Sequence, residues 1–84
     1  MANSRIELRL IGRGYCHLCD DMAAALAPIA EEFTASVKTI DVDENPALLE
    51  RYDELVPVLL HGETELCHHF LNAAKVREYL AGIR

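Results

Sequence analysis

The hydrophobic period of this chain changes within its first twenty residues, and that change constrains the fold more than any other feature. Ile6, Leu8 and Leu10 alternate with Glu7 and Arg9, a period of two that reads as a strand. Ile11 is also apolar, so the strand is expected to be buried on both faces near its end. Gly12-Arg13-Gly14 breaks the pattern. From Leu18 the apolar residues recur as Met22, Leu26, Ile29 and Phe33, one stripe of a helix beginning at Cys16. Asp20 and Asp21 fall in its first turns, where the macrodipole favours acids. Pro28 lies inside the pattern and is expected to kink the helix near Ala24, because it removes a donor and crowds the carbonyl four residues back. A strand feeding a helix through a short glycine break is the first half of a βαβ unit.

The rest of the chain completes it. Val37, Ile40 and Val42 predict a strand over Ser36–Val42. Asn45 is a natural N-cap and Pro46 suits the first helical position, which predicts a short helix Ala47–Tyr52. Val58-Leu59-Leu60 reads as a strand headed by Pro57, His61-Gly62-Glu63 as a tight turn and Leu66–His68 as the returning strand. Asn72 predicts the cap of a last helix, Ala73–Ala81, with Val76 and Leu80 inward and Gly82 at its end. The order is β-α-β-α-β-β-α, an α/β fold with a small mixed sheet covered by helices. At 84 residues the expectation is a single domain, 1–84.

An apolar fraction of 51% with 26% charged residues is that of a globular chain and excludes a disordered or low-complexity segment. No uncharged stretch exceeds nine residues, Met22–Ala30 being one of them, whereas a membrane helix needs about 20. The net charge is −6, with Asp41, Asp43, Glu44, Glu50, Asp53 and Glu54 concentrated mid-chain. Nucleic acid and anionic membrane surfaces are therefore not expected partners. The opening MANSRIELRL carries Arg5, Glu7 and Arg9 and lacks the apolar run of a signal peptide, so a cytoplasmic location is expected.

In a reducing compartment two cysteines three residues apart need a reason. Cys16 and Cys19 sit where strand turns into helix, the place where a Cys-x-x-Cys reads as a redox pair. Free backbone N–H groups and the positive end of the helix dipole stabilise a thiolate there, and the thiolate is the nucleophile. Cys16, at the cap, is expected to attack; Cys19, one turn in, is placed to resolve a mixed disulfide. Arg13 adds a nearby cation. A competing reading makes the pair half of a zinc site completed by Cys67, His68 or His69, or has the cysteines hold an iron–sulfur cluster in a binding module. The spacing of Cys67-His68-His69 argues against zinc, since strand alternation would point His68 and His69 to opposite faces. A third reading leaves the thiols buried and structural. Tyr15 either flanks a substrate groove or covers the helix start. His17 either tunes the neighbouring thiol or is simply exposed. Asp41–Glu44 reads as a solvated strand end, and Cys67 as a packed thiol.

The opening strand, Cys16-His17-Leu18-Cys19, the acidic strand end Asp41-Val42-Asp43 and Val56-Pro57 before a hairpin together resemble a glutaredoxin-like member of the thioredoxin-fold superfamily. The resemblance spans Ile6 to Leu80. It implies a thioredoxin-like fold with a four-stranded mixed sheet and three helices, and a thiol–disulfide oxidoreductase; the thiol chemistry requires no metal or organic cofactor, and a monomer is expected. It further implies that Pro57 is cis and faces the cysteines, that Val56 offers its backbone to an extended substrate, and that Arg13 favours the thiolate and helps hold a glutathione carboxylate. The substrate-binding residues are then expected to be Arg13, Val56 and Pro57 from the resemblance and Tyr15 and His17 from their place beside Cys16, with Cys16 and Cys19 catalytic and a protein or small-molecule disulfide as partner. The sequence departs from the pattern in three places. His17-Leu18 replaces Pro-Tyr, Leu55 replaces a Thr, and the Gly-Gly and Asp that hold the γ-glutamyl end of glutathione are replaced by His68-His69-Phe70 and the uncharged Asn72. Weak glutathione binding is expected, and reduction by a thioredoxin-type system or a protein partner.

Overall fold

The computed structural model describes residues 6–83; the charge reading of Met1–Arg5 lies outside them. Strand β1, Ile6–Gly12, leads into helix α1, His17–Glu32, which is followed by strand β2, Ala35–Asp41. A 3₁₀ turn, Val42–Glu44, precedes helix α2, Pro46–Tyr52; strands β3, Val58–His61, and β4, Thr64–His68, form the hairpin, and helix α3, Ala73–Ile83, closes the chain. The sheet order is β2-β1-β3-β4, with β1 parallel to β2 and antiparallel to β3, and β3 antiparallel to β4. This is a thioredoxin-like α/β fold with three helices on a four-stranded mixed sheet.

The alternation read from β1 decides which side each helix covers. Leu8 and Leu10 face the α1 and α3 side, where they pack with Met22, Leu26, Ile29, Leu59, Val76 and Leu80. Ile11, Val58 and Leu60 face the other side, against Val42 and Tyr52, with Leu48 and Leu49 of α2 beside them. Each fully buried aliphatic side chain contributes about 1.5–3 kcal/mol relative to exposure. These two clusters therefore fix the helices on opposite faces and hold the C-terminal end of β1 between them. β4 opposes β3 with a bulge, Leu59 facing Cys67 and Leu60 facing Glu65, so Leu66 is the extra residue, and it is buried.

Three local expectations are corrected. Val42 is not the end of a strand: Asp41 Oδ1 accepts the Asp43 N–H at 2.9 Å and turns the chain into the 3₁₀ segment, which buries Val42 beneath α2. Gly82 does not stop the last helix, which runs on to Ile83; among the described residues Gly62 is the one glycine with positive φ, so Gly82 lacks the left-handed geometry that ends a helix. His69 is not a strand residue but has φ 67° just after β4, so alternation does not separate it from His68, and the two rings meet edge to face at 4.9 Å. α1 passes through Pro28 as one helix, with Pro28 on its exposed side. Its end is set by Thr34 at φ 55°, whose N–H donates to Glu31.

Candidate active site

Cys16 and Cys19 are joined as a disulfide at the start of α1, with Cα atoms 5.2 Å apart. Cys16 is the N-cap, extended at φ −119°, ψ 105°, and its sulfur accepts the Cys19 N–H at 3.1 Å. Its carbonyl accepts the Asp20 N–H at 3.1 Å, the first bond of the helix. A sulfur in the N-cap position receives an orphan donor of the first turn, which is the feature that would favour its thiolate once the bond is opened. Cys16 is partly exposed and Cys19 is buried. The two sulfurs thus differ in access in the sense that the sequence predicts.

Cys19 is buried against the end of β1. A Cβ on Gly12 would lie 3.1 Å from Cys19 Sγ and 3.3 Å from its Cβ, closer than ordinary contact, so a side chain here would make the sulfur give way by a few tenths of an ångström. Gly12 pairs with Asp41 on β2. On its other side Ile11 pairs with Val58, so Pro57 takes the register position next to Gly12. The Pro57 carbonyl in turn accepts the His69 N–H at 2.8 Å. Asp41, Gly12, Pro57 and His69 therefore follow one another in register across the end of the sheet. The Val56–Pro57 bond is cis; Pro57 is buried and Val56 half-buried. His69 Nε2 meets the Glu54 carbonyl at 2.9 Å, which ties the segment before Pro57 to the end of β4.

Arg13 faces carboxylates. Its Nε and Nη2 donate to Asp43 Oδ2 and Oδ1 at 3.1 and 2.9 Å, and Nη2 and Nη1 donate to Asp53 Oδ1 and the Asp53 carbonyl at 2.7 and 3.2 Å. Four of the five donors of a guanidinium are thereby used. Hydrogen bonds from Arg13 hold the Asp43 carboxyl below its ordinary range, and those carboxylates hold Arg13 protonated. Arg13 thus clamps the loop that carries Cys16 to the 3₁₀ turn and to the end of α2.

Tyr15, at φ 58°, projects fully into solvent, and with His17, Asp20 and Cys16 it lines a groove of about 270 Å³. A second cleft of about 410 Å³ reaches Cys19 and is walled in part by Arg13, Asp20, Asp41 and Glu44. Cys67 is half-buried at the edge of the α1/α3 cluster, and burial pushes its thiol pKa up. Among the described residues no three His, Cys, Asp or Glu side chains stand together as a metal site, so Cys67, His68 and His69 do not complete a ligand set with Cys16 and Cys19.

The sequence reading missed Gly12, Asp43 and Asp53 as parts of this site, and considered His69 only as a metal ligand. Gly12 is recognisable only as a break, because what crowds a side chain there is a sulfur seven residues on. The partners of Arg13 lie 30 and 40 residues away, and no local spacing marks them.

The glutaredoxin-like domain family (DUF836) matches residues 7–81. The chain belongs to this family. Among curated proteins, Uncharacterized protein Rv0508 of Mycobacterium tuberculosis is 32% identical to this glutaredoxin-like chain over 80 residues, covering 83% of this chain and 82% of its own length. Protein Ne2328 of Nitrosomonas europaea, solved in solution, superposes with a TM-score of 0.80 at 34% identity, covering 94% of this chain and 98% of that one. Thioredoxin 1 of Thermosipho africanus superposes at 0.58 with 25% identity, covering 93% and 90%. The glutaredoxin-like domain thus carries a thioredoxin-like fold and a Cys-x-x-Cys pair, a combination that fits redox function.

Proposed function

We propose that this glutaredoxin-like domain is a thiol–disulfide oxidoreductase that works through the Cys16/Cys19 dithiol. The observation that carries the reading is the unequal placement of the two sulfurs: Cys16 partly exposed at the cap and bonded to the Cys19 N–H, Cys19 buried on Gly12. In the reduced domain the Cys16 thiolate attacks one sulfur of a substrate disulfide. A Cys16–substrate bond forms, and the other substrate sulfur leaves as a thiolate and takes a proton from solvent. The Cys19 thiol then loses its proton and attacks Cys16 Sγ, forming the Cys16–Cys19 bond and releasing the second substrate thiol. Two electrons pass from the dithiol to the substrate, and an external thiol reductant, as a cytoplasmic setting supplies, restores the dithiol. The exposed Tyr15 and His17 border the approach to Cys16. Val56, half-buried before Pro57, offers backbone groups to an extended substrate in the manner of an added strand.

The test is a single-turnover reaction of the reduced domain with hydroxyethyl disulfide, followed by mass spectrometry. The expected result is two product thiols per disulfide bonded domain for the parent. Cys19→Ser is expected to stop at a mixed disulfide on Cys16, and Cys16→Ser to be inert. Turnover by Cys16→Ser at the parental rate would overturn the assignment.

A further inference from the structure

The charge around the two sulfurs is one-sided. Arg13 is the cation nearest to them in the chain, and it is committed to Asp43 and Asp53. Beyond that clamp the cleft reaching Cys19 is walled by Asp20, Asp41 and Glu44, and Asp20 also borders the groove at Cys16. One guanidinium therefore stands against five carboxylates, in a chain of net charge −6. Asp20 and Glu44 are exposed, so their field reaches an approaching molecule through solvent and is sensitive to salt. Two of the groups that could reward an anion are committed elsewhere: Arg13 spends four of its five donors on Asp43 and Asp53, and the first-turn N–H of Cys19 is directed at Cys16 Sγ.

We infer that the site is selective for disulfides flanked by cationic groups, such as Lys- or Arg-rich polypeptide segments, and discriminates against anionic disulfides. The inference rests on the oxidoreductase reading and adds the substrate class to it. A cationic segment meets an attractive field in the cleft at Cys19 and in the groove at Cys16, which raises its encounter rate. An anionic disulfide is repelled and finds no cation to replace its hydration. Steering of this kind changes association rates by about tenfold to a thousandfold at low ionic strength. The reaction is balanced: the dithiol and a symmetrical peptide disulfide give the Cys16–Cys19 disulfide and two peptide thiols.

The probes are symmetrical disulfides of one short peptide whose cysteine is flanked by Lys in one version and Glu in the other. Rates with the reduced domain are divided by rates with dithiothreitol, a neutral dithiol, which removes the intrinsic reactivity of each disulfide. The expected result is a preference of about tenfold or more for the Lys peptide at low salt, shrinking severalfold at high salt, where screening shortens the field. In the double variant Asp20→Asn/Glu44→Gln the preference should fall severalfold. The ratio is the informative quantity there, because a change in the Cys16 thiolate population affects both peptides alike. A normalised ratio near one at low salt, or one unchanged by salt, would overturn the charge selection and leave the oxidoreductase reading in place. Failure of both peptides and of hydroxyethyl disulfide to oxidise the domain would overturn the oxidoreductase reading itself.

Discussion

Replacing Gly12 with Ala places a methyl group 3.1 Å from Cys19 Sγ and 3.3 Å from Cys19 Cβ. Ordinary contact begins near 3.4 Å, so the sulfur must retreat by a few tenths of an ångström. The backbone at Gly12 does not require positive φ, so alanine is otherwise accommodated. In the oxidised domain Cys19 Sγ is bonded to Cys16 and buried beneath α1, and it has little room to retreat. Overpacking of this kind costs about 1–3 kcal/mol. The loss of glycine's freedom in the unfolded chain returns about 0.4–1 kcal/mol. The net expectation is a destabilisation of the oxidised form by about 1 kcal/mol, a fall in Tm of about 4–8 °C for a domain of this size. In the reduced form the sulfur is released from Cys16 and can rotate away, so the loss should be smaller. Thermal unfolding of parent and variant, each with and without dithiothreitol, reads both numbers. Equal losses in the two redox states, or none in either, would refute the claim that Gly12 is the seat of the sulfur.

Other outcomes follow from the same geometry. The Asp43 carboxyl is held below the ordinary value of 3.8 by hydrogen bonds from Arg13. A lowered folded pKa contributes stability that is present above the unfolded value and lost as pH falls through the folded one. Stability should therefore drop on acidification below about pH 4, and Asp43→Asn should flatten that limb in denaturant unfolding measured against pH. Burial, aided by Glu65, raises the Cys67 pKa. In the reduced domain near pH 8, iodoacetamide should thus label Cys16 first and Cys67 more slowly than it labels the unfolded chain, by peptide mapping. Asn72 Oδ1 accepts the Lys75 N–H at 3.1 Å at the start of α3. Asn72→Ala should lower stability by about 1 kcal/mol in urea while leaving disulfide exchange at the parental rate.

Much of this was legible in the residues because the signals are local. Period two in Ile6–Leu10, the helical stripe from Leu18 to Phe33, Asn45-Pro46 as a helix start and Gly62 as a hairpin turn all act within a few positions, and each lies where it was expected. The errors share a different cause. Val42 is apolar on an alternating pattern, yet a capping carboxylate one residue earlier outcompetes strand pairing. His69 is turned out of the strand at positive φ, while its N–H still bonds to the carbonyl of Pro57, just ahead of the neighbouring strand. Gly12 and Arg13 look like a simple break, although each is defined by a partner brought to it by the fold.

The Arg13 clamp also bears on the order in which this domain can be assembled. Cys16 and Cys19 belong to a loop and helix made early in synthesis, but the carboxylates that fix that loop come 30 and 40 residues later. Closing segments of that length has to be compensated by contacts that form together with them, so the clamp belongs to the late part of folding. Until Asp53 has left the ribosome and α2 has docked, the two thiols are carried on a strand and helix whose connecting loop is untethered. In the finished domain Cys19 is enclosed and Cys16 alone faces outward.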